Sequence, residues 1–446
     1  MRRPRWLTVV ALASVVAIAG AACSKKTTAP GGGNTGGNSQ ACSQDQFGCV
    51  TYKAGEPIQI GTLLSISGST AFLGTDSQHG AALAIDYLDK KMDAKPGQLL
   101  GHPVQLVNED DGCSAEGGQA GGQKLVGNPQ LLAVIGTTCS SSALGVADKI
   151  FSDKGILLIS PSNTNPNLTA QGTHQPFYLR TAHNDKIQGS VVADFTRQKL
   201  HAKTAATIHD ESPYADALAA VFRANFEKLG GTIVPNGNQA IQSTDTDFHS
   251  LLTQIGQQKP DVLYYPDFDP ACALIAKQSA EVQGLSNSSL IGSDGCLESA
   301  YLQTGGKGVF GTFASGPDFS SLAHTNDFYA KQFLPAYKEQ FGTDPTAAFH
   351  AHAFDAMNIL FKAADKVAIK GSDGTVSFPR TALKNAIFAT KDYKGLTGTI
   401  TCTPLGDCAT SVTIAVFKAP NFPVEGGNPN SQPVFAETKT LAEVGG

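Results

Sequence analysis

The sequence predicts an α/β protein of two Rossmann-like lobes, with a hinge between them and a ligand cleft where they face. Three observations lead there. Short β-rich runs alternate with segments of helical periodicity, the pattern of βαβ units joined by right-handed crossovers. The alternation occurs twice along the chain, which implies two sheets. Two hydroxyl-rich turns, Cys139-Ser140-Ser141-Ser142 and Ser160-Pro161-Ser162-Asn163-Thr164-Asn165-Pro166, directly follow the apolar runs Leu131 to Gly136 and Ile156 to Ile159. An open parallel sheet holds ligands just beyond the carboxyl ends of its strands, and hydroxyls with helix N-terminal N–H groups suit a small anion such as a carboxylate.

Taken in order, the chain begins with Arg2, Arg3 and Arg5 ahead of an apolar run from Trp6 to Ile18. That run is too short and wrongly flanked for a membrane span and reads as an export signal. It closes on Gly20-Ala21-Ala22-Cys23, which resembles a bacterial lipobox, so residues 1–23 are expected to be a lipoprotein signal with Cys23 acylated; simple secretory cleavage is the alternative. Residues 24–56 are expected to be a flexible tether with a local disulfide clip, because Ser24 to Gln40 is almost devoid of apolar residues. Gly31-Gly32-Gly33 lacks the Gly-Lys-Ser/Thr ending of a phosphate loop.

The first alternating set has strands at Ile58 to Ile66, Val104 to Asn108, Leu131 to Gly136 and Ile156 to Ile159. Its helices run over Gln78 to Lys91, Ala115 to Val126 and Ser141 to Ser152. The second set has strands at Ala205 to His209, Val262 to Tyr265 and Leu290 to Ile291, with helices at Ile187 to Lys199, Tyr214 to Leu229, Phe248 to Gln258 and Ala271 to Gln283. Helical periodicity at Asp327 to Phe341, Ala347 to Lys366 and Arg380 to Ala389 is expected to return to the first lobe. Late strands, Gly398 to Thr401 and Ser411 to Phe417, complete the second lobe or the hinge. Lobe 1 is thus expected at 57–182 and 316–394, lobe 2 at 183–315 and 395–446.

Without the signal, eight of the 9 cysteines remain, an even number in an exported chain, which favours disulfides over metal ligands or catalytic thiols. Cys42 with Cys49, and Cys402 with Cys408, would be local clips. Cys113 and Cys139 follow strands of one sheet, and Cys272 and Cys296 follow strands of the other, so each pair can lie side by side. A net charge of −5 with no basic stripe excludes a nucleic-acid footprint.

Each candidate site residue also has a plainer reading. Ser140 could cap a helix beginning at Ser141, Ser162 and Thr164 could shape the turn before Pro166, Asp294 stands in an Asp-Gly turn pair, and Tyr214 could pack as an ordinary helical aromatic. His350 and His352 do not share a helix face, and no HExxH pattern is present. No G-x-S-x-G elbow surrounds the serines, which argues against a serine hydrolase.

Several words occur in order and in register: Gly61-Thr62-Leu63-Leu64-Ser65-Ile66-Ser67-Gly68, Asp110-Asp111-Gly112-Cys113, Gly136-Thr137-Thr138-Cys139-Ser140, Gly155-Ile156-Leu157-Leu158-Ile159-Ser160-Pro161 and His209-Asp210-Glu211-Ser212-Pro213-Tyr214. From about Pro57 to the C-terminal strands the chain resembles the leucine/isoleucine/valine-binding proteins, type I periplasmic binding proteins that serve ABC importers. The resemblance implies hinge closure on a small zwitterion, a Cys113–Cys139 disulfide, and an α-carboxylate held by Ser140, Ser162 and Thr164. It gives the α-ammonium to Asp294, and places aromatic walls at Tyr214 and Phe268. The partners it implies are an amino acid and an ABC permease; the lipobox adds a membrane through lipid, and the missing metal and nucleophile motifs add the expectation of a protein that is not an enzyme and has no metal or cofactor, taken as a monomer. Two departures bear on the ligand. Leu73, beside Phe72, stands where relatives carry an aromatic residue, and Asp294 replaces a commoner Glu. Amides, urea-like compounds or aromatic acids are the alternative ligands, and ligand sensing through a receptor is the alternative role.

Overall fold

A computed structural model describes residues 36–423 and 431–445; the expected signal, with Cys23, lies outside the described residues. In the first sheet the strands stand in the order Gln98–Leu99, His102–Asp110, Ile58–Leu64, Leu131–Gly136, Leu157–Ser160 and Tyr178–Arg180, parallel apart from the first pair. Leu131–Gly136 and Leu157–Ser160 are buried at every position, because helices cover both faces of the sheet, and so they read as unbroken apolar runs. The helices Ala71–Asp86 and His350–Val367 pack on one face with Ile60, Ile135 and Leu360. Leu63, Leu125, Val134 and Phe151 fill the other.

The second sheet runs Phe435–Thr440, Ser411–Lys418, Phe313–Pro317, Ser289–Gly292, Val262–Tyr265, Thr204–His209 and Thr232–Ala240, with the first two strands antiparallel and the rest parallel. In each sheet one early strand lies between later ones. Ile58–Leu64 sits between His102–Asp110 and Leu131–Gly136, and Thr204–His209 sits between Thr232–Ala240 and Val262–Tyr265. Strand order reverses at these places, so the loops leaving the carboxyl ends diverge and open a crevice. The crevices are edged by 65–70 with 137–140 in one sheet, and by 210–214 with 266–270 in the other.

Several elements depart from expectation. The first long helix begins at Ala71 rather than Gln78. Its opening turn lies so close to the preceding loop that a Cβ on Gly74 would stand 1.9 Å from the Ser65 carbonyl oxygen, and the small residue needed there hides the helical pattern. Thr232–Ala240 and Phe313–Pro317 are strands despite their polar or small residues. The expected tether is structured at its end: helix Gly36–Gln44 leads to strand Cys49–Tyr52, which pairs with Val376–Pro379 and buries Val50 and Tyr52 in the first core. The assignment of 395–446 to the second lobe is corrected in its first part. The hairpin Tyr393–Gly395 with Gly398–Ile400 places Leu396 and Ile400 in the first core, and the buried Asp355 carboxylate accepts from the N–H groups of Leu396 and Thr397. The chain joins the second sheet only at Ser411. Disulfides join Cys42 to Cys49, Cys113 to Cys139, Cys272 to Cys296 and Cys402 to Cys408.

Candidate functional site

A narrow cavity of about 10 Å³ lies where the two crevices meet, lined by Leu73, Thr138, Cys139, Ser140, Ser162, Tyr214, Phe268, Asp294 and Phe349. Its first wall is built on the end of the Leu131–Gly136 strand. Gly136 passes so near its neighbour that a Cβ there would come 2.2 Å from the Leu63 carbonyl oxygen. Beyond it, the Thr138 N–H donates to the buried Asp111 carboxylate (2.6 Å), and the Cys113–Cys139 bridge ties the same two loops. Burial pushes the Asp111 carboxyl up to about 7 against these hydrogen bonds.

The two serines present opposite polarity to the cavity. Ser140 opens the short helical turn Ser140–Ser142, with Cys139 rather than Ser140 in the capping position. Its Oγ accepts from the Asn165 N–H (3.3 Å), and its own proton has no acceptor among the described residues. Ser140 is therefore a hydroxyl donor toward the cavity. Ser162 Oγ faces the Thr138 carbonyl at 2.8 Å and must donate to it, which leaves only lone pairs for anything else. The carboxylate role expected for the Ser162 side chain does not fit that geometry, since a carboxylate needs a donor. Thr164 is buried, its carbonyl accepting from the Asp185 N–H (3.0 Å), and neither it nor Phe72 lines the cavity. Phe72 packs beside Leu73, Phe349 and Phe319.

The second wall carries the charge. Tyr214 sits in the first turn of helix Pro213–Lys228, which is capped by Ser212 Oγ accepting from the Ala215 N–H (3.1 Å). Its hydroxyl lies 2.7 Å from Ser293 Oγ and 2.9 Å from Asp294 Oδ1, and its ring packs 5.1 Å from that of Phe268. Asp294 begins a short turn after the Ser289–Gly292 strand, so it is at once a turn residue and a cavity residue. Gln188 Nε2 donates to Asp294 Oδ1 (2.7 Å), and Gln188 Oε1 lies 2.5 Å from His183 Nε2. Asp294 Oδ2 makes no hydrogen bond among the described residues and is left for a ligand. Asp185 is fully buried nearby, and burial, with the Asp294 charge added, holds its carboxyl well above the usual range. His350 Nδ1 lies 3.0 Å from Asp76 and its Nε2 2.7 Å from the Tyr329 hydroxyl, inside the first core.

A family model described as periplasmic binding protein matches residues 57–418. The chain belongs to the periplasmic binding proteins. They are solute-binding proteins and not enzymes, and their two-lobed type I fold is the one described above. The Leu/Ile/Val-binding protein BraC3 of Rhizobium johnstonii is 29% identical over 368 residues, covering 81% of this chain and 91% of that protein. Among solved structures, the leucine-binding protein LivK of Thermotoga maritima superposes with a TM-score of 0.70 at 24% identity, over 86% of this chain and 98% of that one. LivJ of Streptococcus pneumoniae, in complex with isoleucine, gives 0.69 at 25% identity over 86% and 100%. A solute-binding protein of R. palustris in complex with benzoate also gives 0.69, at 19% identity over 86% and 97%.

Phe349, Thr138 and Gln188 were not singled out from the sequence. Phe349 enters from the far side of the chain, just before helix His350–Val367, where nothing local distinguishes it from a core residue. Gln188 had a readable signal: a polar side chain among the buried positions of the Asp185–Gln198 helix.

Proposed function

We propose that this protein captures a small α-amino acid by closing its two lobes and presents it to an ABC permease from the outer face of the membrane, anchored through Cys23. The opposed polarity of Ser140 and the Ser162–Asp294 pair carries the reading. A donor hydroxyl and an acceptor hydroxyl on the first wall face a free carboxylate oxygen on the second. A carboxylate satisfies the donor and an ammonium the two acceptors, so the cavity is matched to a zwitterion. Leu73, Phe349, Phe268 and Tyr214 give the cavity apolar walls of the kind an aliphatic side chain meets. The isoleucine bound by LivJ and the names of the sequence relatives support the same ligand class. An aromatic acid such as the benzoate of the R. palustris neighbour would meet Ser140 but leave Asp294 facing no cation.

A thermal-shift screen of the purified protein against amino acids, their amides, des-amino acids and benzoates tests this. Ligand at a hundredfold excess over its Kd stabilises the native state by about 2.7 kcal/mol. Shifts are expected with aliphatic α-amino acids; shifts confined to benzoates or des-amino acids refute the zwitterion.

A further inference from the structure

We propose that Asn165 is an interlobe latch, a residue that holds the cleft closed without lining the ligand cavity. It stands in the turn after the Leu157–Ser160 strand and is 2% exposed. Each of its polar groups is used. The backbone N–H donates to Ser140 Oγ (3.3 Å), the carbonyl accepts from Arg180 Nη1 (2.9 Å), and Oδ1 accepts from the Asn167 N–H (2.7 Å), capping the Pro166–Thr169 turn. Its remaining group, Nδ2, crosses the cleft and donates to the Pro213 carbonyl. Pro213 precedes Tyr214, the aromatic wall that supports Asp294. Among the described residues, no other side-chain hydrogen bond joins the 160–166 turn to the 210–214 loop.

One residue thus reaches both walls. Its backbone sets the direction of the Ser140 proton on one lobe, and its side chain holds the loop that carries Tyr214 on the other. Arg180, buried and ion-paired to Asp407 at 2.7 Å, fixes the carbonyl between these two arms, so Asn165 cannot move toward Pro213 without carrying the turn with it. A carboxylate that docks on Ser140 steadies the same turn, and the latch is then formed at little further ordering cost. The ligand arm of this inference rests on the proposed zwitterion site; the interlobe bond itself does not.

The test uses the full mature protein, with spin labels on non-natural residues at exposed Glu116 and Glu227, one on each lobe, so that the cysteines stay paired. Interlobe distances are measured without ligand and with L-leucine, and leucine association and dissociation rates are measured by stopped flow. Asn165→Asp keeps the Oδ1 cap on Asn167 but removes the donor to Pro213, whereas Asn165→Ala removes both. Both variants are expected to shift the ligand-free distances upward and to speed leucine dissociation about fivefold, the worth of one neutral hydrogen bond, with association changed less. Distances unchanged from wild type in both variants overturn the latch, as does opening in Asn165→Ala alone, which would assign the effect to the lost cap. If wild type fails to bind leucine, the proposed ligand class falls and the ligand-free distances alone decide the latch.

Discussion

Replacing Asp294 by Ala tests the charge reading most directly. Asp294 is 5% exposed, so an ammonium docked on its free Oδ2 would be largely out of water. Removing one partner of a buried ion pair costs roughly 3–5 kcal/mol, most of it the penalty of the charge left unpaired. At about 1.4 kcal/mol per factor of ten, affinity for an α-amino acid should fall by about two to four orders of magnitude. The fold should suffer little, because both groups that donate to Asp294 have another acceptor in place. The Tyr214 hydroxyl retains Ser293 Oγ at 2.7 Å, and Gln188 Nε2 retains Ser315 Oγ at 3.1 Å. Calorimetric titration of wild type and variant with L-leucine and with its des-amino analogue, 4-methylpentanoate, is the assay. The variant should lose most of its preference for leucine over the analogue. Unchanged leucine affinity in a folded variant, or equal wild-type affinity for the two compounds, refutes the ammonium site and moves the ligand toward a plain carboxylic acid.

Three other outcomes follow from the same structure. Ser140→Ala removes the donor for a carboxylate and should weaken leucine and 4-methylpentanoate alike, by about one to two orders of magnitude, whereas Ser162→Ala should weaken only leucine; parallel titrations that show equal losses for both variants contradict the polarity assignment. Glu298 is 6% exposed, and burial, with Asp269 adding to it, pushes its carboxyl up to about 8. A carboxyl raised in the folded state favours folding below its unfolded pKa and loses that advantage as pH rises through the folded value, so Glu298→Gln should gain a few kcal/mol relative to wild type between pH 5 and pH 9 in denaturant melts. Cys23→Ala should release the protein from the membrane fraction of a suitable bacterial host, and a wild type that is soluble and unacylated by mass spectrometry refutes the anchor.

The strands that hold the first wall were legible because burial on both faces made them continuous apolar runs, as at Leu131–Gly136. Ser140 and Ser162 could be picked out because each follows a strand end, where turn chemistry and ligand chemistry use the same residue types, whereas Tyr214, Phe268, Leu73 and Asp294 are given by the family resemblance, Asp294 alone reading as a turn residue. Thr164 and Phe72 stand beside these residues yet lie outside the cavity lining: the Thr164 carbonyl accepts from the Asp185 N–H, and Phe72 packs into the neighbouring apolar cluster. Phe349 and Asn165 illustrate the other limit. Their roles depend on contacts to Leu73 and Pro213, which are far away in sequence, and no periodicity or spacing encodes such a meeting. The Thr232–Ala240 strand was hidden for a related reason: it stands at the sheet edge, exposed at several positions, so its residues carry little apolar signal.

The division of the site between lobes explains why ligand charge and lobe closure belong together. Ser140, Ser162 and the neighbouring N–H groups belong to the first sheet, and Asp294 to the second, so an open cleft leaves the ammonium of a zwitterion without its carboxylate partner. The closed state binds better than the open one by whatever the second end is worth. With about 3 kcal/mol for the ammonium, that difference is a factor of more than a hundred in the closed-to-open ratio. A ligand with a carboxylate alone brings no comparable difference, because the second lobe then offers it an unpaired aspartate. Such a ligand would occupy the first wall while driving closure weakly. The lobe separation measured with 4-methylpentanoate should therefore stay near the ligand-free value at concentrations where leucine closes the cleft, and full closure by the analogue would show that apolar contacts to Leu73, Phe268 and Phe349, rather than charge, bring the lobes together.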